Sequence, residues 1–159
     1  SVRSQVSRNF LVGLRLSVVG YARLTGIEFS DSEKLIRELS PDQIDFFDAS
    51  LWDFHLQDPA HPERGPLIPQ IRAALNQRVP LAVAGAIRTH SEATECLNMG
   101  ADAVVLGKVA IGNADWPKRV VSEGREPAMP PYTRDHLRSQ KVGDAFIQYL
   151  ERYPDFVKS

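Results

Sequence analysis

The stretch VPLAVAGAIRTHSEATECLNMGADAVVLGK, Val79 to Lys108, decides the fold. It opens with an apolar run of strand length, Val79 to Ala84, and closes with a second one, Ala103 to Leu106. A glycine follows each run, and the intervening residues Thr89 to Met99 have the spacing and boundary residues of a helix. The stretch therefore predicts one strand–helix–strand unit.

Two apolar strands joined by a helix predict a parallel sheet, because parallel neighbours need a long crossover and have both faces covered. Gly85 and Gly107 each come just after the carboxyl end of a strand. Ligands of α/β folds sit at that edge, where loops present unpaired backbone N–H groups. A glycine lets an anionic group approach the backbone closely. We therefore expect a ligand at these two turns.

Composition sets the class of protein. The chain has 159 residues, of which 43% are hydrophobic and 25% charged, as is ordinary for one globular domain. A net charge of -1 argues against nucleic acid as a partner. No apolar stretch approaches the ~20 residues that span a bilayer, and no leader peptide opens the chain, so no membrane partner is expected. The lone Cys96, expected to be buried, favours a reducing, cytoplasmic location.

Two more strands are predicted, at Phe10 to Ser17 and at Ile44 to Ser50, and each of the four strands is followed by a helix. Both the eight-stranded (β/α) barrel and the open doubly wound sheet contain such a run. The glycine turns after the last two strands favour the barrel. We therefore predict an α/β fold that is half of a (β/α)8 TIM barrel, over residues 1–126, and a C-terminal helical extension over 127–159, with a helix from His136 to Arg152.

Several polar residues lie where the predicted strands end. Arg15 interrupts the first strand, and it requires either an internal Asp or Glu or a ligand, since a buried unpaired charge is costly. Asp45 and Asp48 bracket a Phe pair in the second strand, where an Asp either serves a site or accepts bonds from loop backbone. Two long loops add three candidates for a substrate pocket, namely Tyr21, Trp52 and His55.

Neither loop aromatic has to bind a ligand. Tyr21 could instead be solvated, and Trp52 could instead cover the core of its own loop. The His and Asp residues of 51–65 do not have the spacing of a known metal motif, so no metal site is predicted.

Four phrases resemble the C-terminal half of the FMN-dependent old yellow enzyme family, the NADH:flavin oxidoreductase barrels. They are FLVGLRLS, IDFFDASLWD, VPLAVAGAIRTHSEATECLNMGADAVVLGKVAIGNADWPKRVVSEGRE and FIQYLERYPDFV, in the family's order for strands five to eight. The resemblance implies an oxidoreductase that transfers hydride from NAD(P)H through FMN to an activated alkene. No downstream cysteines accompany Cys96, so an iron–sulfur cluster is not expected.

The resemblance also implies residue roles. Arg15 matches an arginine that contacts the flavin ring, and two turns match the cradle of the FMN phosphate, formed by Ala84, Gly85 and Ala86 and by Leu106, Gly107 and Lys108. Two positions depart from the family's pattern, because Ala86 replaces a glycine and Lys108 replaces a two-pronged arginine. Both departures imply weakened phosphate binding.

The family's catalytic residues lie on strands one to four, so this chain is predicted to hold none. A half barrel exposes two strand edges and an apolar interior, which predicts a homo-oligomer or pairing with an N-terminal half barrel. Three interpretations follow: the FMN-binding part of an oxidoreductase acting on a small-molecule substrate, a catalytically silent module that binds phosphate or nucleotide, and a structural or interaction protein.

Overall fold

The protein is described by a computed structural model that covers residues 2–20 and 26–158. Within them, four strands form one sheet in which every neighbouring pair is parallel. The strands occur in chain order across the sheet and are β1 (Gly13–Leu16), β2 (Phe46–Ser50), β3 (Leu81–Ala84) and β4 (Ala103–Val105). The candidate Tyr21 lies outside the described residues.

Helices follow each strand, so the predicted half TIM barrel is confirmed. Short 3-10 turns occupy Arg3–Gln5 and Pro62–Arg64, and a π-helical turn occupies Pro117–Ser122. In the described part of the chain, no helix is both long enough and apolar enough to cross a membrane. The α-helices are α1 (Phe29–Glu38), α2 (Leu67–Leu75), α3 (His90–Asn98), α4 (Lys108–Ile111), α5 (Arg134–Ser139) and α6 (Asp144–Leu150).

The single C-terminal helix predicted from His136 to Arg152 is wrong, because two helices, α5 and α6, occupy that region. Lys141, between them, has a φ of +66°, which a right-handed helix cannot contain. The break turns the apolar residues of both helices onto a common core, and their buried members include Leu137, Ile147 and Leu150.

Two compact units divide the chain. The first consists of Ser1–Ile87 with Ala93–Val105 and holds the whole sheet; the second consists of Arg88–Glu92 with Leu106–Ser159. In the second unit, Tyr132 and Phe156 pack edge to face, 5.4 Å between ring centroids, in the core formed by α5 and α6. The predicted domain division at residue 126 stays a prediction.

The two faces of the sheet differ in character. Phe47, Leu81 and Val83 alternate onto one face and are fully buried, as are Ile68 and Ile71 of α2. That face is the hydrophobic core of the first unit. Because side chains alternate along a strand, the register puts the intervening residues on the opposite face, including Arg15, Asp48 and Ala82. We call this second surface the open face of the sheet.

Cys96 lies in α3 and is completely buried, as predicted. Burial raises the pKa of its thiol to about 11. Because the thiolate is the reactive form, Cys96 is a packing residue with little nucleophilic character.

At the amino-terminal edge of the sheet, the same pattern of an aspartate bonded to a backbone N–H and an arginine occurs twice. Asp45, just before β2, accepts a hydrogen bond from the backbone N–H of Val12 at 2.7 Å and pairs with Arg3. Asp102, just before β4, accepts one from the N–H of Leu81 at 2.7 Å and pairs with Arg72 of α2. Each aspartate therefore ties the start of one strand to the start of its neighbour.

We expect Asp102→Asn to lower the free energy of unfolding by about 1 kcal/mol at pH 7, since an amide loses the charged pair with Arg72. The Leu81 N–H bond, and then Arg72, lower the pKa of Asp102 below its usual 3.8. A carboxyl whose pKa falls on folding stabilises the protein above its unfolded pKa, and this stabilisation is lost as pH drops through the folded pKa.

The difference between the native chain and Asp102→Asn should therefore disappear in acid below the carboxyl's usual pKa. Urea unfolding at several pH values measures it. Asp31→Asn is the matched control, because Asp31 is 70% exposed in a surface pair with Lys34. Equal losses in the two variants would show that the strand-edge position of Asp102 has no special role.

Candidate functional site

A polar cluster formed by Arg15, Asp48 and Ser50 occupies the open face near the carboxyl ends of β1 and β2. Arg15 and Asp48 are direct register partners across the two strands. One guanidinium nitrogen of Arg15 donates to Asp48 Oδ2 at 2.7 Å, and the other donates to Ser50 Oγ at 3.0 Å. Of the two alternatives for Arg15, the structure shows the ion pair with an internal aspartate.

Asp48 carries an unsatisfied acceptor. Its Oδ1 atom is buried and has no hydrogen-bond partner among the described residues, while only 13% of the side chain is exposed. A buried carboxylate oxygen without a donor is destabilising. Native proteins concentrate such costs at functional sites. Arg15, by contrast, leaves 53% of its side chain exposed and is accessible to a ligand.

A cavity of about 230 Å³ lies at the same edge of the sheet, and we call it the carboxyl-edge pocket. Ser50 belongs both to this pocket and to the polar cluster. Trp52, a predicted pocket residue, forms part of the wall and is 53% exposed. Other wall residues are Ser17, Val19, Ile27, Leu51 and Leu56. All belong to the first unit.

His55, the other described pocket candidate, does not line this cavity. Its Nε2 atom lies 2.7 Å from Glu95 Oε1 of α3, and its Nδ1 atom lies 3.5 Å from Asp53 Oδ1. The hydrogen bond with Glu95 is the main cause that raises the pKa of His55 above 6.5. The residue therefore attaches the loop after β2 to α3.

We expect Glu95→Gln to lower the pKa of His55, which two-dimensional NMR titration of the imidazole measures directly. A histidine whose pKa rises on folding stabilises the protein below its unfolded pKa of about 6.5, and this contribution disappears as pH rises through the folded value. The native chain should therefore lose stability relative to Glu95→Gln as pH is raised through that window. Glu63→Gln, near His61, is the control; an unchanged His55 pKa in Glu95→Gln would contradict this account.

At the first predicted phosphate turn, the backbone of the loop after β2 packs directly against Gly85. A Cβ on Gly85 would lie 2.6 Å from the backbone nitrogen of Phe54. That nitrogen donates to the Gly85 carbonyl at 3.0 Å, and the Leu51 N–H donates to the Ala84 carbonyl at 2.7 Å. Ala86 follows in the left-handed region, with a φ of +56°. Gly85 is therefore required for close packing of the loop after β2, and its predicted phosphate contact is an untested prediction.

The second predicted phosphate turn, at Gly107, is not closely packed. No atom would lie within 4 Å of a Cβ there. Leu106 precedes it, and Lys108 begins the four-residue α4. These residues belong to the second unit, and their predicted contact with FMN phosphate is likewise an untested prediction.

The amino terminus of α3 is capped by its own glutamate. Glu92 Oε2 accepts hydrogen bonds from the N–H groups of Arg88, at 2.6 Å, and Thr89, at 3.0 Å. The Glu92 N–H in turn donates to Thr89 Oγ1 at 3.2 Å. This is a capping box, in which a carboxylate of the protein satisfies the free amides. The Thr-x-x-Glu sequence could have indicated it.

The site residues predicted from the sequence did not include Asp48, Ser50 or Ser17. Period-two alternation places Asp48 and Ser50 on one strand face, but only the register with β1 brings Arg15 opposite them. Asp45 takes the other role considered for these acids, because it accepts a backbone N–H. Across residues 2–20 and 26–158, no group of three His, Cys, Asp or Glu side chains is placed to hold a metal ion.

A protein-family model matches part of this chain. The family model described as "Histidine biosynthesis protein", a family of TIM barrels, matches residues 51–128. The matched region runs from the loop after β2 through β3, α3 and β4 to the segment after the π-helical turn. No curated protein matches the chain.

This match overturns the assignment to the old yellow enzyme family and the predicted FMN-dependent transfer of hydride from NAD(P)H to an alkene. The phrases behind that assignment describe parallel strands that end at glycine turns, and such strands are common to barrels of different activity. FMN and NAD(P)H themselves are untested, but their expectation depended on the resemblance. Over residues 51–128, the chain is similar to histidine biosynthesis proteins.

Proposed function

We propose that this chain is half of a (β/α)8-barrel enzyme of small-molecule biosynthesis, related in activity to the histidine biosynthesis proteins it resembles. The observation that carries the proposal is the polar cluster, an aspartate with an unsatisfied buried oxygen beside a half-exposed arginine. The cluster lies near the carboxyl ends of parallel strands, where barrel enzymes hold their catalytic residues.

Each residue of the cluster has a distinct role in this proposal. Asp48 is the catalytic residue that takes a proton from the substrate or returns one to it, since proton transfer by a positioned side chain requires a carboxylate within hydrogen-bond reach. Arg15 contacts an anionic group of the substrate through its exposed guanidinium. Ser50 is a positioning residue, because its oxygen accepts from Arg15 and fixes the direction of that side chain.

To test the proposal, the purified chain is incubated with each intermediate of histidine biosynthesis. Proton NMR follows the loss of substrate and the formation of product. We expect one intermediate to be converted, and no conversion with Asp48→Ala. A folded chain that has completed its barrel, as proposed below, and converts none of them would refute the proposal.

We also propose that the active form contains a completed barrel, formed with a second copy or with an N-terminal half barrel. Two features support it: in the described part of the chain, β1 and β4 each pair with one strand only, and the open face carries Phe46, which is 37% exposed and whose ring covers Gly13. The free, buried Cys96 supports a cytoplasmic location. Light scattering after size exclusion measures the oligomeric state, and a monomer that turns over substrate would contradict barrel completion.

A further inference from the structure

A larger cavity lies at the amino-terminal edge of the sheet, beside the starts of β3 and β4, and we call it the amino-edge pocket. Its volume is about 560 Å³, within the range of small-molecule sites. The wall residues, all from the first unit, are Arg72, Gln77, Val79, Pro80, Gly100 and Asp102. Because the polar cluster lies near the carboxyl ends of the strands, this pocket is a different site.

The charged pair of Arg72 and Asp102 keeps hydrogen-bonding capacity for a ligand. Arg72 donates from Nε to the Gly100 carbonyl at 2.7 Å and from one terminal nitrogen to the Val79 carbonyl at 3.3 Å. Its other terminal nitrogen pairs with Asp102 Oδ2. These bonds use three of the five N–H groups of a guanidinium, so two remain. The Leu81 N–H also donates to Oδ2, and 56% of the Asp102 side chain is exposed, which leaves Oδ1 as an acceptor.

Gln77 supplies a third polar group, and the turn after α2 holds it in place. Its side chain is exposed and makes no hydrogen bond with another described residue. Its φ of +54° lies in the left-handed region, which is costly for a residue other than glycine. Arg78 fixes this turn, because its N–H donates to the Leu75 carbonyl at 3.0 Å and its guanidinium to the Arg37 carbonyl at 2.7 Å. Strained residues of this kind are concentrated at binding sites.

The charges of the wall select the class of ligand. An anion that approaches Arg72 also faces the Asp102 carboxylate, and a cation that approaches Asp102 also faces the guanidinium. A neutral group with both an acceptor and a donor finds a matching partner for each, and the Gln77 amide can bond to either. Val79, which is buried, and Pro80, which is exposed, add apolar surface. The pocket therefore favours a neutral amide attached to an apolar body.

We propose that the amino-edge pocket binds a neutral carboxamide or cyclic amide. Its carbonyl accepts from Arg72, its N–H donates to Asp102 Oδ1, and its apolar body packs against Pro80. Gln77 makes a further hydrogen bond to the same amide. This site is separate from Asp48, so the inference does not depend on the proposed function.

Ligand-observed NMR on the native chain compares four planar probes of the same size. Benzamide carries an acceptor and a donor, acetophenone carries only the acceptor, benzoate is an anion and benzamidinium is a cation. We expect benzamide to bind saturably in the millimolar range, as is usual for a ligand of so few atoms. Acetophenone should bind about 5-fold more weakly, the effect of one lost neutral hydrogen bond. Both ions should bind more weakly than benzamide, because each faces a like charge.

Two variants locate the bound probe. Gln77→Gly should raise the Kd of benzamide about 3- to 10-fold, yet unfold at no lower urea concentration, because glycine relieves the left-handed backbone. Asp102→Asn should remove the preference for benzamide over acetophenone. Its amide oxygen stays bonded to the Leu81 N–H, so an NH2 group that cannot accept faces the ligand.

The matched controls make similar changes away from the pocket. Gln148→Ala, at an exposed position of α6, should leave the Kd unchanged. Asp31→Asn should leave the preference for benzamide unchanged.

Absent benzamide binding, equal binding of acetophenone, or stronger binding of either ion would overturn the amide site. An unchanged Kd in Gln77→Gly, or an unchanged preference in Asp102→Asn, would also overturn it, because the probe would then bind elsewhere. Conversion of an intermediate of histidine biosynthesis tests only the proposed function, so either proposal can fail while the other stands.

Discussion

Asp48→Asn is expected to reduce turnover of the substrate by about 10²- to 10⁴-fold, the usual contribution of general acid–base catalysis. The amide has nearly the shape of the carboxylate, so the fold persists, but it cannot take up a proton at neutral pH. KM should change much less than kcat, because the lost interaction belongs to the chemical step. Steady-state kinetics on the converted intermediate measures both.

The matched control for this prediction is Asp31→Asn, which makes the same chemical change at an exposed position of α1. It should retain the native kcat. Arg15→Lys tests the proposed contact of Arg15 with an anionic group of the substrate. It should raise KM while changing kcat less, because lysine keeps the charge but loses the two-pronged donor. An Asp48→Asn variant with native kcat would remove Asp48 from the mechanism.

Gly85→Ala is expected to lower the free energy of unfolding by about 1–3 kcal/mol, the typical cost of adding a methyl group to a packed site. The added Cβ would lie 2.6 Å from the Phe54 nitrogen and 2.8 Å from its Cα. These are backbone atoms, so no side-chain rotation relieves the contact. The loop after β2 must then move away from the end of β3, which breaks the Phe54 N–H bond to the Gly85 carbonyl.

Gly107→Ala is the control, since it adds the same methyl group at the equivalent turn after β4. Open space surrounds that position, so no close contact opposes the added methyl group and the loss should be smaller than at Gly85. Urea unfolding of both variants measures the difference. Similar losses at the two glycines would refute the packing role of Gly85.

Apolar runs and glycines were enough to predict the sheet. The runs Val79–Ala84 and Ala103–Leu106 contain β3 and β4, and the helix between them occurs almost where its boundaries predict. The C-terminal break escaped prediction, because Lys141 in a left-handed conformation leaves no trace in an apolar pattern. Local periodicity therefore predicted the helices and strands better than it predicted the turns between them.

The candidate site was predicted only in part. The position of Arg15 in a buried strand demanded an acidic partner or a ligand, yet the sequence did not select Asp48, because that pairing depends on the register of β1 with β2. Trp52 was recognised as a pocket candidate from its place after a strand. Ser17 and Ser50 carry no sequence signal, since serines after strands are common in ordinary loops.

The family assignment failed for a related reason. Glycine-ended strands and a Gly-Lys turn after the last strand follow from barrel architecture, so they distinguish barrel families poorly. Ala86 and Lys108, the two departures from the flavin pattern, already disagreed with that assignment at the phosphate turns.

Growth of histidine auxotrophs tests directly whether the chain catalyses a step of histidine biosynthesis. Strains that each lack one enzyme of histidine biosynthesis are supplied with the native chain, with Asp48→Asn or with Asp31→Asn, at equal levels of folded protein. We expect the native chain and Asp31→Asn to restore growth without histidine in one strain, and Asp48→Asn not to do so. Failure of the native chain in every strain, or equal rescue by Asp48→Asn, would contradict it.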